Sequence, residues 1–109
     1  MSAVSFSGLD LLTTAVAVLD GGLTVAYLNP AAETVFALSL RNVAGHQFAG
    51  LFLDGRTFGE TLSRALADVR GFVDQELTLT RPGYEALHLN CVVTPVEMST
   101  AALLIEFRH

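Results

Sequence analysis

The hydrophobic pattern of this 109-residue chain changes within Tyr27-Leu28-Asn29-Pro30-Ala31-Ala32-Glu33. Asn is favoured as a helix N-cap and Pro at the first helical position, so the Asn-Pro pair predicts the start of a helix. Apolar residues then recur about every 3.6 positions as far as Leu38, which is typical of one helix face. Residues 23–28 are rich in strand-forming side chains. We therefore predict a strand-to-helix boundary at Asn29.

A β-hairpin is predicted upstream of this boundary. The apolar run 15–19 is broken by Asp20-Gly21-Gly22 and followed by the run 23–28. Two short strand-like runs joined by an Asp-Gly turn favour a hairpin. The first run lacks polar alternation, so we expect it to be buried on both faces at the sheet centre. Before it, Ser7 can cap a short helix whose apolar face includes Leu9 and Leu12.

Downstream, the pattern returns from helix to strand. Thr57 and Glu60 have capping-box spacing and predict a helix that runs to about Arg70. Residues 72–81 alternate between apolar and polar side chains, and Pro82-Gly83 fits the centre of a type II turn. Strands are expected over 84–96 and 101–107, and the last is apolar on both faces. We expect it to lie beside the first strand.

This order of elements defines an α+β domain. We predict a five-stranded antiparallel sheet with helices on one face and a short N-terminal helix. The length fits one domain. Residues 1–14 are interpreted as a flanking helix and residues 15–109 as the domain.

Several of these residues resemble the pattern of a PAS domain. The resemblance rests on Ala17-Val18-Leu19-Asp20, the hairpin and residues 27–33, followed by Phe36, Ser39, Gly45 and Leu51-Phe52. It covers about Leu9 to Phe107, and its details are most similar to the N-terminal PAS domains of the NtrB family of nitrogen-regulation sensor histidine kinases.

The resemblance implies a sensory and dimerisation module of a cytoplasmic two-component histidine kinase. The chain would then be a fragment that carries no catalytic residues, with the phosphoacceptor histidine and the ATP-binding motifs downstream of His109. One alternative is a PAS sensor of a transcription regulator or a cyclic-nucleotide enzyme. A more remote alternative is a small α+β enzyme that uses a buried acid, with Asp20 and Glu106 as near candidates, and Tyr27 or Tyr84.

Composition argues against several partners. The net charge is −5 and the six basic residues are scattered arginines, which disfavours nucleic-acid binding. The apolar runs are much shorter than the roughly 20 residues of a membrane span, and there is no secretory signal pattern. The single cysteine, Cys91, fits a reducing cytoplasm and a small buried hydrophobe.

No cofactor or metal is expected. The three histidines, His46, His88 and His109, are far apart and lack the close spacing of metal ligands. Haem-binding PAS relatives carry a histidine on the long helix, whereas residues 56–70 contain none.

Three candidate functional surfaces remain. A small-ligand pocket between helices and sheet, or else a filled core, would involve Phe36, Phe48, Phe52, Leu62, Leu66 and Cys91. Leu9 and Leu12 would form a homodimer face, unless the helix folds onto its own sheet. The signal would leave through the last strand at Ile105, Phe107 and Arg108.

Overall fold

The computed structural model describes residues 7–68, 71–98 and 101–108. Its centre is a sheet of five strands, all paired antiparallel in the order β2-β1-β5-β4-β3. The strands are β1 (Ala15–Leu19), β2 (Val25–Leu28), β3 (Val73–Leu79), β4 (Leu87–Met98) and β5 (Ala101–Arg108). The first and last strands are neighbours, as the sequence predicted, because both consist almost entirely of apolar residues.

Three α-helices cover one face of the sheet. They are α1 (Pro30–Phe36), α2 (Leu40–Val43) and α3 (Gly55–Ala67). Two 3-10 helices accompany them, Ser7–Leu11 before the sheet and Ala49–Leu51 before α3. The predicted α+β class, five-stranded sheet and short N-terminal helix are therefore confirmed.

Along β5, buried residues that face the helices alternate with more exposed residues on the other face. In β5 the inward residues Leu103, Ile105 and Phe107 are buried, while the residues between them are half-buried. β1 differs because all five of its residues are buried, including Val16 and Val18 on the face away from the helices. The prediction that the first strand is enclosed on both faces is confirmed.

The first hairpin turn is organised by Asp20. Its Oδ1 accepts hydrogen bonds from the backbone N–H of Gly22 at 2.9 Å and of Thr24 at 3.0 Å. Its Oδ2 accepts one from the Thr24 hydroxyl at 2.6 Å. Leu23 follows with φ +64, a left-handed conformation that costs a non-glycine residue energy. β2 begins at Val25, later than the run 23–28 predicted, because Thr24 pairs with Gln47 instead.

The predicted start of α3 is wrong. The helix begins at Gly55 with Asp54 at the N-cap position, so Thr57 lies inside the first turn and does not cap it. The Asp54 side chain makes no cap bond, since its carboxylate accepts from the backbone N–H and the hydroxyl of Thr80. The predicted end near Arg70 falls outside the described residues.

The turn before β4 is confirmed, although the strand begins later than predicted. The N–H of Tyr84 donates to the carbonyl of Arg81 at 3.0 Å, and Gly83 has φ +86, which matches a type II turn. β4 starts at Leu87 rather than at residue 84, and it extends to Met98.

Candidate functional site

A single buried side chain joins the flanking helix to the domain. Asn29 is fully buried, and its Oδ1 accepts from the backbone N–H groups of Ala32 and Val16, both at 2.9 Å. Its Nδ2 donates to the carbonyls of Thr14 at 2.8 Å and Leu9 at 3.0 Å. The predicted N-cap is confirmed by the Ala32 bond. The other three bonds show that the same amide also links β1 and the N-terminal 3-10 helix.

The N-terminal 3-10 helix leaves apolar side chains in solvent. Leu11 is 86% exposed and Leu12 is 46% exposed, whereas Leu9 is half-buried. The Tyr27 hydroxyl donates to the carboxylate of Asp10, which adds a second tie between this helix and β2. The helix is thus attached to its own domain, yet Leu12 stays available to a partner. A homodimer through Leu9 and Leu12 stays a prediction.

The space between the helices and the sheet holds a cluster of phenyl rings. Phe36, Phe48 and Phe52 contact one another edge to face, with ring centroids 5.4 to 6.0 Å apart. Phe58 extends the cluster from α3 and Phe107 from β5. Edge-to-face pairs at these separations are a favoured packing of aromatic rings. We call these five rings the phenylalanine cluster.

The remaining residues of the predicted pocket surround this cluster. Leu62 and Cys91 are fully buried, and Leu66 is half-buried. Burial raises the pKa of the Cys91 thiol to about 12, so it stays protonated at neutral pH and is a poor nucleophile. The structure thus brings the six predicted residues into one core region; a ligand among them stays a prediction.

The predicted output residues lie on the strand that reaches this cluster. Ile105 is fully buried opposite Ala17 and Val93, and the Phe107 ring lies 4.8 Å from that of Phe36. Arg108 is exposed and pairs with Glu106 at 3.2 Å, a surface ion pair of small energy. The sequence predicted that Phe107 transmits the signal, but it did not predict the contacts of Phe107 with the rings of Phe36, Phe48 and Phe58. The available signal was the two-residue period of a β-strand, which puts Phe107 on the same face as Ile105.

The connector between β3 and β4 holds the end of α1. Nη1 of Arg81 donates to the carbonyls of Phe36 at 3.0 Å and Ala37 at 2.6 Å. The guanidinium carbon also lies 4.5 Å from the centre of the Tyr84 ring. Carbonyls at a helix C-terminus carry partial negative charge and favour a cation. Sequence reasoning missed this role because the contact joins residues more than forty positions apart.

The same connector holds the start of α3. The N–H of Leu53 donates to the carbonyl of Thr80 at 2.7 Å, and Asp54 accepts two bonds from Thr80. The two helices that border the phenylalanine cluster are therefore tied to one connector by Thr80 and Arg81.

The two candidate acids of the enzyme alternative, Asp20 and Glu106, both have hydrogen-bonding or ionic partners of their own. The hydrogen bond from the Thr24 hydroxyl lowers the pKa of Asp20, so this carboxylate is an ionised turn residue at neutral pH. Glu106 is half-buried and pairs with Arg108. Within the described residues there is no group of three His, Cys, Asp or Glu side chains that could hold a metal ion. No helix in the described ranges is long and apolar enough to cross a membrane.

Residues 9–108 match the family model described as PAS fold, and the chain therefore belongs to the PAS family. The predicted family is confirmed.

Two relatives are similar to this chain over most of its length. It is 29% identical over 101 residues to the sensory histidine kinase/phosphatase NtrB of Vibrio alginolyticus, covering 92% of this chain and 29% of that protein. It is 25% identical to the PAS domain of nitrogen regulation protein NR(II) from Vibrio parahaemolyticus, with TM-score 0.71 and 98% of both chains covered. The predicted similarity to NtrB is confirmed, and this homology to the PAS domain of a histidine kinase supports a role in signalling.

A third similarity concerns the fold alone. A domain of the sensory box sensor histidine kinase/response regulator from Geobacter sulfurreducens has TM-score 0.77 at 14% identity, covering 95% of this chain and 90% of that one.

Proposed function

We propose that this chain is the sensory and dimerisation module of a cytoplasmic two-component histidine kinase for nitrogen regulation. The observation that carries the proposal is the similarity to NtrB, which extends over 92% of the chain. In this proposal residues 1–14 form the flanking segment, residues 15–109 form the PAS domain, and the kinase core follows in the same polypeptide. Catalysis would then belong to the kinase core.

The contacts of β5 suggest how such a module would pass on a signal. Phe107 touches the rings of Phe36, Phe48 and Phe58, which lie on or beside the helices. A rearrangement of the helices would therefore displace Phe107 at the end of β5, next to Arg108. We propose that two packings of the dimer exchange, that a signal shifts their populations, and that the last strand transmits the shift. A small ligand within the phenylalanine cluster is one candidate signal.

A domain exchange tests the kinase proposal. The PAS domain of Vibrio alginolyticus NtrB is replaced by residues 1–109 of this chain, and autophosphorylation and phosphatase activity are measured. We expect both activities to be retained, because this chain aligns with Vibrio alginolyticus NtrB over 101 residues and is similar in structure to the PAS domain of Vibrio parahaemolyticus NR(II). The Phe107→Leu variant should change the balance of the two activities, since it removes the ring contacts but keeps an apolar side chain. A chimera that is folded and dimeric but lacks both activities would contradict the proposal.

Sedimentation of the isolated module tests the dimer face. At roughly 50 µM, a dimer with Kd of about 1 µM is mostly associated. We expect Leu12→Asp to make the protein monomeric, because a carboxylate would be buried at the interface. Leu53→Asp is the matched control, since Leu53 is a 70% exposed leucine outside the flanking helix. A monomeric wild-type protein, or equal effects of both variants, would overturn the assignment.

A further inference from the structure

A surface cavity of about 280 Å³ lies beside the end of α1 and shares Phe36, but no other lining residue, with the predicted interior pocket. Its inner wall is apolar, with Phe36 buried and Val35 and Leu87 half-buried. Its other lining residues come from the β3–β4 connector and are Arg81, Tyr84 and Glu85. The cavity thus combines an apolar wall with one cationic, one anionic and one aromatic side chain.

The two charged groups of this cavity are not paired with each other. The ion pair that the described residues contain is that of Arg108 with Glu106, so neither Arg81 nor Glu85 has an ionic partner there. The Glu85 side chain is exposed and has no hydrogen-bond partner within the described part of the chain. Opposite charges at the lining of one cavity are therefore both available to a ligand.

Arg81 keeps donors beyond those that hold α1. A guanidinium has five N–H groups, and both described bonds to carbonyls start from Nη1. The N–H groups of Nη2 and Nε remain, and such donors match the geometry of a carboxylate. Arg81 can therefore hold the helix end and bind an anion at the same time.

The size and charge of the cavity restrict the ligand. A volume of about 280 Å³ is near the lower end of ligand sites, which argues for a small molecule rather than a nucleotide. Glu85 would repel a multiply charged phosphate, and one carboxylate is too few for a metal ion. A carboxylate facing Arg81 and an ammonium facing Glu85 satisfy both charges.

We propose that this cavity is a binding site for a free α-amino acid with an aliphatic side chain. The carboxylate binds Arg81, the ammonium binds Glu85, and the aliphatic group contacts Val35, Phe36 and Leu87. The site uses no residue of the dimer face or of the output strand, so it does not depend on the proposed function.

Three matched probes separate the contributions of the two charges. L-Leucine is compared with 4-methylpentanoate, which lacks the amine, and with 3-methylbutylamine, which lacks the carboxylate. The shifts of the amide signals of Val35, Tyr84 and Leu87 are followed by NMR. We expect saturable binding of leucine, about tenfold tighter than either single-charge probe, because each removes one charge-assisted contact. No saturable shift at these residues up to roughly 20 mM leucine, or equal affinities of all three probes, overturns the proposal.

One substitution then assigns the ammonium contact. Glu85→Gln should weaken leucine binding about tenfold and leave the affinity for 4-methylpentanoate unchanged or improved. Glu97→Gln is the matched control, because Glu97 is an exposed glutamate on β4 outside the cavity lining. Both variants are first shown to melt at the wild-type temperature. Leucine affinity unchanged by Glu85→Gln would overturn the assignment.

Discussion

The four hydrogen bonds of Asn29 make Asn29→Asp the most informative substitution in the domain. The change keeps the size of the side chain and the acceptor that serves Val16 and Ala32. It replaces the donor Nδ2 with an oxygen that would face the carbonyls of Leu9 and Thr14. The variant therefore tests the tie between the flanking helix and the domain while leaving the N-cap in place.

The expected cost follows from the two lost donors. The two carbonyls belong to half-buried residues, and losing the partner of each costs at most about 1 to 3 kcal/mol, so the pair predicts a destabilisation of about 2 to 4 kcal/mol at pH 7. That is a large part of the roughly 5 to 15 kcal/mol that stabilises an ordinary domain. An Asn→Asp change at a solvent-exposed helix position should cost less than about 0.5 kcal/mol.

The pH dependence of the variant gives a second, independent readout. Burial and the two facing carbonyl oxygens disfavour the carboxylate, whereas the two backbone N–H bonds to its other oxygen favour it; we expect the first two effects to be larger and the pKa to lie above the unfolded value of about 3.9. The folded variant then binds the proton more tightly than the unfolded chain does. Its deficit relative to wild type should shrink as the pH falls from 7 towards 4, by at most about 1.4 kcal/mol per pH unit.

Urea unfolding at pH 7 and pH 5 measures both quantities. Asn42→Asp is the matched control, because Asn42 is an exposed asparagine in α2. The reasoning about Asn29 is refuted if Asn29→Asp costs less than about 1 kcal/mol at pH 7. A deficit that grows on acidification refutes it as well, because it would mean that the carboxylate is stabilised in the folded state.

Three further predictions concern other positions. Gly55→Ala should lower the free energy of unfolding by about 3 kcal/mol, because an added Cβ would clash with the carbonyl oxygen of Ala49. Its control, Gly59→Ala, makes an ordinary contact at 3.6 Å and should be neutral or stabilising by up to about 1 kcal/mol. A thiol reagent at pH 8 should label Cys91 only after unfolding in urea, because burial raises its pKa to about 12; rapid labelling of the folded protein would contradict its burial. The pKa of Asp20 is lower in the folded protein than in the unfolded chain. Its contribution to stability is therefore complete at a pH above the unfolded-state pKa and is lost as the pH falls through the folded-state pKa. Asp20→Asn should consequently make the free energy of unfolding less dependent on pH in the acidic range.

The local features of the fold could be predicted from the sequence because short segments determine them. Asn29-Pro30 places a strand-to-helix boundary through cap chemistry alone, and Asp20 fixes its turn with bonds to residues two and four positions ahead. That β1 and β5 are neighbours was predictable because these two strands lack clear polar alternation. The start of α3 was predicted wrongly because the Asp54 carboxylate is bound by Thr80, 26 positions away.

Only part of the candidate site could be predicted from the sequence. Phe36 and Phe58 could be predicted from apolar periodicity, which marks the inward faces of α1 and α3, whereas Phe48 and Phe52 lie outside these helices. Asn29 also bonds to Val16, Leu9 and Thr14, and Arg81 bonds to the end of α1. These contacts join segments that are distant in sequence, so no local pattern predicts them. Residues that hold separate segments together by polar bonds are thus the ones that sequence patterns miss.

The central position of β5 has a consequence for the order of folding. β1 forms a hairpin with β2, and β3 forms one with β4, but the two hairpins are joined into one sheet by β5 alone. The pair Ala15 with Phe107 closes a loop of about ninety residues, and such long loops make folding slow. Until β5 pairs with β1, both of these strands present an open edge to other chains. A nascent or partly unfolded copy is therefore most vulnerable to aggregation at the step before its last strand is in place.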